Sequence, residues 1–261
     1  MEKEIILHQG ELKIHCVYSE PEDGDIRRNV QGVHGLGGST RDTNQVGIAE
    51  EMVMSYSATV RFDFPGHGES PMSDEYLTLK NCVASLMTVG QWARDRYPAV
   101  EDLCIFATGF GAYVTLIALQ QLRELPGKVK LVVQTPSVLK HETLLTMRNI
   151  SRPTLEAMGR TTFKAPPPFD VTFEFYRELE ENIALPTYDI PMLILHGEED
   201  RYIRMHDIQQ FHRINEQSQL VILPGTTHRF LEEGAWDMVL DLPRDWFEFE
   251  QVLLMYQNHH P

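Results

Sequence analysis

Two residues near the C-terminus have the types and spacing to form a base. Asp200 stands in "LHGEEDRYI" after the apolar run "PMLILHG", and His228 stands in "LPGTTHRF" after "SQLVILPG". A carboxylate that holds an imidazole in one tautomer and stabilises its protonated form makes that imidazole a competent general base. Both residues fall just beyond the carboxyl ends of apolar strands, where open α/β sheets bind ligands. A base needs a nucleophile to act on, and "LCIFATGFGAY", residues 103–113, has the outline of a place for one. It reads as a buried strand (Leu103 to Ala107), a tight turn with two glycines, and a helix beginning at Tyr113. The residue at the apex is Gly109, which offers no attacking atom.

Two more glycine-rich loops follow strands. "VHGLGG", residues 33–38, lets the backbone approach a ligand and aim N–H groups at an anion, with the N–H of Leu36 as one donor; it reads equally as a turn of no chemical interest. It does not match the GxGxxG of a dinucleotide site. In "RFDFPGHGES", residues 61–70, Asp63 and His67 invite a catalytic role, but such residues in compact turns more often tie the loop together, and that is the reading taken here. No His, Cys, Asp and Glu cluster at metal-ligand spacing, so neither a metal nor a cofactor is expected. Thr108 sits one step along the turn from Gly109 and should point elsewhere, Cys104 lies inside the strand, and Ser39 and Ser70 lie in neighbouring loops.

Positioning these residues requires strands alternating with helices. The chain opens with a hairpin, "EIILH" and "LKIHCVY" around Gln9-Gly10. Strand patterns follow at "VQGVHG", "ATVRFDF", "LCIFA", "KLVVQT", "PMLILHG" and "SQLVILPG". Helical patterns lie between them at 44–55, 76–96, 113–125 and near 205–214, with a last helix from about 244. Apolar strands alternating with helices imply a mostly parallel sheet covered on both faces, to which the opening hairpin adds an antiparallel edge. Residues 137–189 break the alternation. They hold no parallel strand, carry the stiff "KAPPPFD" and short helical patterns, and read as an insertion that folds over the strand ends as a cap within a single domain spanning 1–261. Phe163, Phe169, Phe173, Phe175 and Tyr176 crowd together there, and read as the cap's own small core ahead of an apolar pocket wall.

Composition bounds the function. With 23 Lys and Arg against 38 Asp and Glu, the formal net charge of −15 argues against nucleic acid and anionic membrane surfaces as partners. Cys16, Cys82 and Cys104 are too scattered for a disulfide framework or a zinc site. The first residues lack a signal peptide's apolar core, and no run approaches the ~20 apolar residues of a membrane span, so a cytoplasmic protein is expected. The C-terminal "DWFEFEQVLLMY" is apolar enough to dock either on the domain or on a second copy in a homodimer.

In order along the chain, "HGLGG", "DFPGHGES", the strand–turn–helix at 103–113, "HGEED" and "PGTTH" resemble the motifs of the α/β-hydrolase fold. The resemblance covers nearly the whole chain and implies an eight-stranded, mostly parallel sheet with helices on both faces and a small cap. The layout is similar to the capped serine-aminopeptidase-like and cinnamoyl (feruloyl) esterase-like branches, whose insertion also follows the sixth strand. That family's G-x-S-x-G elbow falls on Ala107-Thr108-Gly109-Phe110-Gly111. The resemblance therefore implies Gly109 at the nucleophile position (a substitution, natural or introduced), Asp200 as acid, His228 as base, and the N–H groups of Leu36 and Phe110 as oxyanion hole. It implies a carboxylic-ester hydrolase lineage, acting on a small acyl ester or related substrate under the cap, with the covalent route lost. A second resemblance, of "TGFGAY" to the elbow of the serine-lacking N-myc downstream-regulated family, implies instead a non-catalytic binder of a ligand or partner.

Overall fold

The computed structural model describes residues 2–250. Two strands, β1 (Lys3–Gln9) and β2 (Leu12–Ser19), form the opening antiparallel hairpin, with Gly10 supplying a φ of +59° in the turn. β2 then pairs antiparallel with β4 (Ser57–Phe62). From β4 onward every pairing is parallel, through β3 (Arg28–Val33), β5 (Asp102–Thr108), β6 (Lys128–Gln134), β9 (Met192–Gly197) and β10 (Ser218–Leu223). The eight strands run in the order β1-β2-β4-β3-β5-β6-β9-β10, so β10 is an edge bonded only to β9.

The strands are apolar throughout because helices cover both faces. In β5 the alternation is direct: Leu103, Ile105 and Ala107 enter one cluster, Cys104 and Phe106 the other. The first face is packed by α2 (Leu79–Arg96), α3 (Gly109–Leu122) and α7 (Met205–Ile214), through residues such as Leu86, Leu116 and Phe211. The second is packed by α1 (Thr43–Met54) and α8 (Ala235–Phe249), through Ile48, Met52, Val239, Leu242 and Trp246. No helix among the described residues is long and apolar enough to cross a membrane.

Between β6 and β9 the chain forms α4 (Lys140–Arg148), α5 (Arg152–Met158), a hairpin of β7 (Arg160–Phe163) and β8 (Phe169–Thr172), and α6 (Phe173–Glu181). Leu144, Leu155, Phe169, Phe175 and Leu179 of this segment join the same apolar cluster as the first sheet face. The crowded aromatics are therefore not a separate small core. Phe175 meets the ring of Phe110 edge-on at 5.9 Å, while Phe163 stacks on Phe169 at 5.2 Å.

Three elements differ from the sequence reading. The hairpin β7/β8 flanks "KAPPP", whose prolines hid two strands of only four residues each. α3 begins at Gly109 and not at Tyr113, so the turn is as tight as a strand running straight into a helix permits. α8 begins at Ala235 and not near 244. Its buried Val239, Leu242, Trp246 and Phe247 keep the helical stripe across Pro243, whose missing N–H removes one bond to the Val239 carbonyl without ending the helix. Of "DWFEFEQVLLMY", Trp246 and Phe247 are buried on the sheet's second face, Phe249 is exposed, and the residues after 250 lie outside the described residues.

Candidate active site

Gly109 sits where β5 turns into α3, with φ +49°. A Cβ built there would meet nothing closer than the Gly35 Cα at 3.9 Å, so the position has room for a side chain. Two residues on, room is absent: a Cβ on Gly111 would lie 2.5 Å from the carbonyl oxygens of both Val33 and His34. Glycine at 111 lets α3 press against the end of β3, and that close approach fixes the direction in which position 109 faces. Thr108, Gly109 and Phe110 all line a cavity of about 630 Å³ at the carboxyl end of the sheet.

The loops after β9 and β10 meet at the same cavity. Backbone bonds join them, from the Glu198 N–H to the Leu223 carbonyl (3.1 Å) and from the Glu199 N–H to the Thr226 carbonyl (2.9 Å). Within this frame His228 Nδ1 donates to Asp200 Oδ2 at 2.7 Å, and Asp200 Oδ1 accepts the N–H groups of Tyr202 (2.8 Å) and Ile203 (3.1 Å). Burial alone would raise the Asp200 pKa; the bonds from His228 and the two N–H groups outweigh it and hold the carboxyl below its ordinary value. His228 is partly exposed, with its ring against Tyr202 at 5.3 Å, and lines the cavity with Gly109. Asn44 at the start of α1 reaches both Gln134 and the Arg229 carbonyl, which anchors the histidine loop to the neighbouring strand end.

The β3 loop lies alongside. Leu36 lines the cavity and belongs to a turn closed by the Gly38 N–H on the Gly35 carbonyl at 3.0 Å. Phe110 is the second residue of α3, where helix geometry gives the N–H no intrahelical acceptor. His34 holds the loop from below, donating Nδ1–H to the Gly35 carbonyl (2.7 Å) and accepting the Phe64 N–H at Nε2 (3.1 Å). Asp63 is a structural hub: it accepts from His15 Nδ1 (2.7 Å), from the Thr40 N–H (2.7 Å) and hydroxyl (3.2 Å), and from the Glu69 N–H (3.1 Å). His67 bonds to the Pro65 carbonyl, and burial pulls its pKa down to about 3, so it is neutral. Neither Asp63 nor His67 lines the cavity.

The sequence matches no family model, and comparison with curated proteins finds no match. Comparison of structures does. The chain is similar to a putative hydrolase from Agrobacterium vitis (TM-score 0.78, 18% identity, 94% of this chain and 97% of that one). It is similar to Est1E from Butyrivibrio proteoclasticus (TM-score 0.77, 17% identity, 94% and 97%), also solved with ferulic acid bound. It is similar as well to mouse alpha/beta hydrolase domain-containing protein 10 (TM-score 0.76, 16% identity, 95% and 100%). The chain has the α/β-hydrolase fold. Identities this low carry the fold and leave the chemistry to the residues.

Of the residues the sequence singled out, Gly109, Phe110, Leu36 and His228 line one cavity of this α/β-hydrolase fold, with Asp200 bonded behind the histidine. Cys104 faces the opposite side of the sheet and Ser70 stays outside the cavity, whereas Ser39 and Thr108 line it. The turn thus does not carry Thr108 away from the cavity as expected; it leaves the residue half-buried at the wall beside Gly35. Folding brings Glu4, His15 and Glu69 together, with ligand atoms within 4.8 Å of one another. Arg41 is ion-paired to both carboxylates, so each already has a cationic partner. Sequence reasoning missed Ser137 and Lys140, which also line the cavity. Their only local signal is that they lie two and five residues after "KLVVQT", at the carboxyl end of a strand.

Proposed function

We propose that this cavity is the site of a carboxylic-ester hydrolase lineage of the Ser-His-Asp type, with glycine standing at the nucleophile position. The observation that carries the reading is the shared cavity. It joins an open, left-handed Gly109 at the strand–helix turn to a histidine whose Nδ1–H is held by a buried carboxylate. In such a site the bond to Asp200 leaves His228 Nε2 free to take a proton from a nucleophile and return it to the leaving group. The N–H groups of Leu36 and Phe110 would receive the negative charge that develops on the substrate oxygen. Without a side chain at 109 no acyl-enzyme forms. What is left is the oxyanion hole and binding, which elsewhere sustain only ~10³–10⁴-fold acceleration over water, with His228 able to activate a water. The segment between β6 and β9 acts as a cap within a single domain, and the substrate is a small acyl ester bound beneath it. The ferulic acid seen with Est1E makes aryl esters the first to try. Three buried, unpaired thiols suit a reducing cytoplasm.

The test is hydrolysis of p-nitrophenyl acetate and butyrate by the chain as it stands, by Gly109→Ser, and by Gly109→Ser with His228→Ala. The serine variant should release product with a burst and exceed the parent by at least about 10³-fold, and the double variant should be inactive. A serine variant inactive on every acyl length would sink the hydrolase reading. Gly109 itself would then favour the second one, a non-catalytic binder that uses the same cavity for a ligand or partner.

A further inference from the structure

Lys140 opens α4 and is 2% exposed. The other buried cations each have hydrogen-bond or ion-pair partners. Arg61 is ion-paired with Glu2 and bonded to the Thr40 carbonyl. Arg94 donates to the carbonyls of Val100 and Glu101, and Lys130 reaches Asp102 at 2.8 Å. Among the described residues Lys140 Nζ has no hydrogen bond and no carboxylate at ion-pair distance; the ring of Phe110 lies 5.7 Å from it. It also sits in the first turn of a helix, where the backbone dipole opposes a cation. A buried, uncompensated ammonium is costly to the fold. Burial accordingly pulls its pKa down to about 7.

The surroundings indicate what would compensate it. Lys140 lines the same cavity as Gly109 and His228. Ser137, three residues earlier, donates its N–H to the Gly109 carbonyl at 3.3 Å, while its own buried hydroxyl has no partner. The cavity wall holds three cations, Lys140, Lys164 and Arg229, against one carboxylate, Asp42, in a chain whose net charge is −15. The wall thus reverses the sign of the molecule.

We propose that Lys140 is the recognition point for a carboxylate on the ligand, so that the cavity takes an acyl ester whose far end carries a free carboxylate, or the dicarboxylic acid it yields. The proposal deepens the hydrolase reading and rests on it for the ester. A carboxylate fits better than a phosphate monoester. One buried ammonium balances one negative charge, whereas a phosphate near −2 carries a second charge that Lys140 does not match, and the wall's other cations, Lys164 and Arg229, are exposed.

The experiment uses the full chain, whose glycine prevents an acyl-enzyme from forming during titration. Monomethyl glutarate and dimethyl glutarate differ in one free carboxylate, and their dissociation constants are measured by calorimetry on the parent and on Lys140→Met. The parent should bind the monomethyl ester at least about thirtyfold more tightly than the dimethyl ester, and the variant should lose that preference. Lys140→Met should also melt higher than the parent, which shows it folded and identifies the lysine as held against stability. Equal binding of the two esters by the parent, or a preference that survives in Lys140→Met, overturns the proposal. So does n-propyl phosphate binding more tightly than monomethyl glutarate. A kinetic arm separates the two readings: Gly109→Ser is assayed on p-nitrophenyl butyrate and on p-nitrophenyl hemiglutarate. Activity without preference for the hemiglutarate keeps the hydrolase and removes the subsite. Inactivity on both, with the binding preference intact, keeps the subsite and removes the hydrolase.

Discussion

At position 109 the backbone is held at φ +49°, a conformation that glycine adopts freely and other residues adopt under strain. Placing any side chain there should therefore destabilise the fold even though the space is open. Gly109→Ser and Gly109→Ala should each lose about 1–2 kcal/mol, a fall in Tm of about 2–8 °C by thermal denaturation, with only the serine gaining activity. Equal stability of all three would mean that the turn relaxes and that the strain is not stored. Asp200 gives the second prediction at this scale. A carboxyl whose folded pKa lies below its ordinary 3.8 adds stability above that value, and the contribution is lost as pH falls through the lower, folded pKa. Asp200→Asn should melt below the parent at pH 7, and the gap should close as the pH drops below about 4. A gap independent of pH would place the loss in packing. Asp200, His228 and Gly109 were legible in the sequence because each follows an apolar run that could only be a strand. Lys140 was not, because nothing in its neighbours says that it is buried without a counter-ion.

Between elements, the decisive contact is the approach of α3 to β3. With a Cβ on Gly111 only 2.5 Å from two backbone oxygens, Gly111→Ala must push the helix off the sheet. We expect a loss of about 3 kcal/mol, roughly 6–12 °C in Tm, and a failure of Gly109→Ser to gain activity in the same background. An unchanged Tm would show that the helix has slack. The parallel strands were readable because burial on both faces makes them continuous apolar runs. The hairpin β7/β8 was not, since four-residue strands flanking three prolines carry no period long enough to detect. α8 was half legible: its stripe spans Val239 to Phe247, but Pro243 reads as a boundary until tertiary packing is seen to override it.

For the whole molecule, the inserted segment shares one apolar cluster with the first sheet face. Phe175 against Phe110 ties it to the strand–helix turn itself. The two parts should therefore unfold together, as one calorimetric transition whose van't Hoff and calorimetric enthalpies agree. Two transitions would make the segment an independent unit. The mostly parallel sheet with an antiparallel edge hairpin was legible because apolar strands alternating with helices leave few other architectures. The shared core was not, since a count of aromatics within 137–189 does not say which surface they meet.

The edge position of β10 carries one more consequence. β10 hangs from β9 alone, and the loop bearing His228 hangs from β10, whereas β5 behind Gly109 is gripped on both sides. An edge ladder opens more readily than a central one. Backbone amides of β10 should exchange with solvent deuterium well before those of β5. The base would then detach from the site in brief local openings long before the fold is lost, so that warming silences the cavity at temperatures where circular dichroism still reports a native chain.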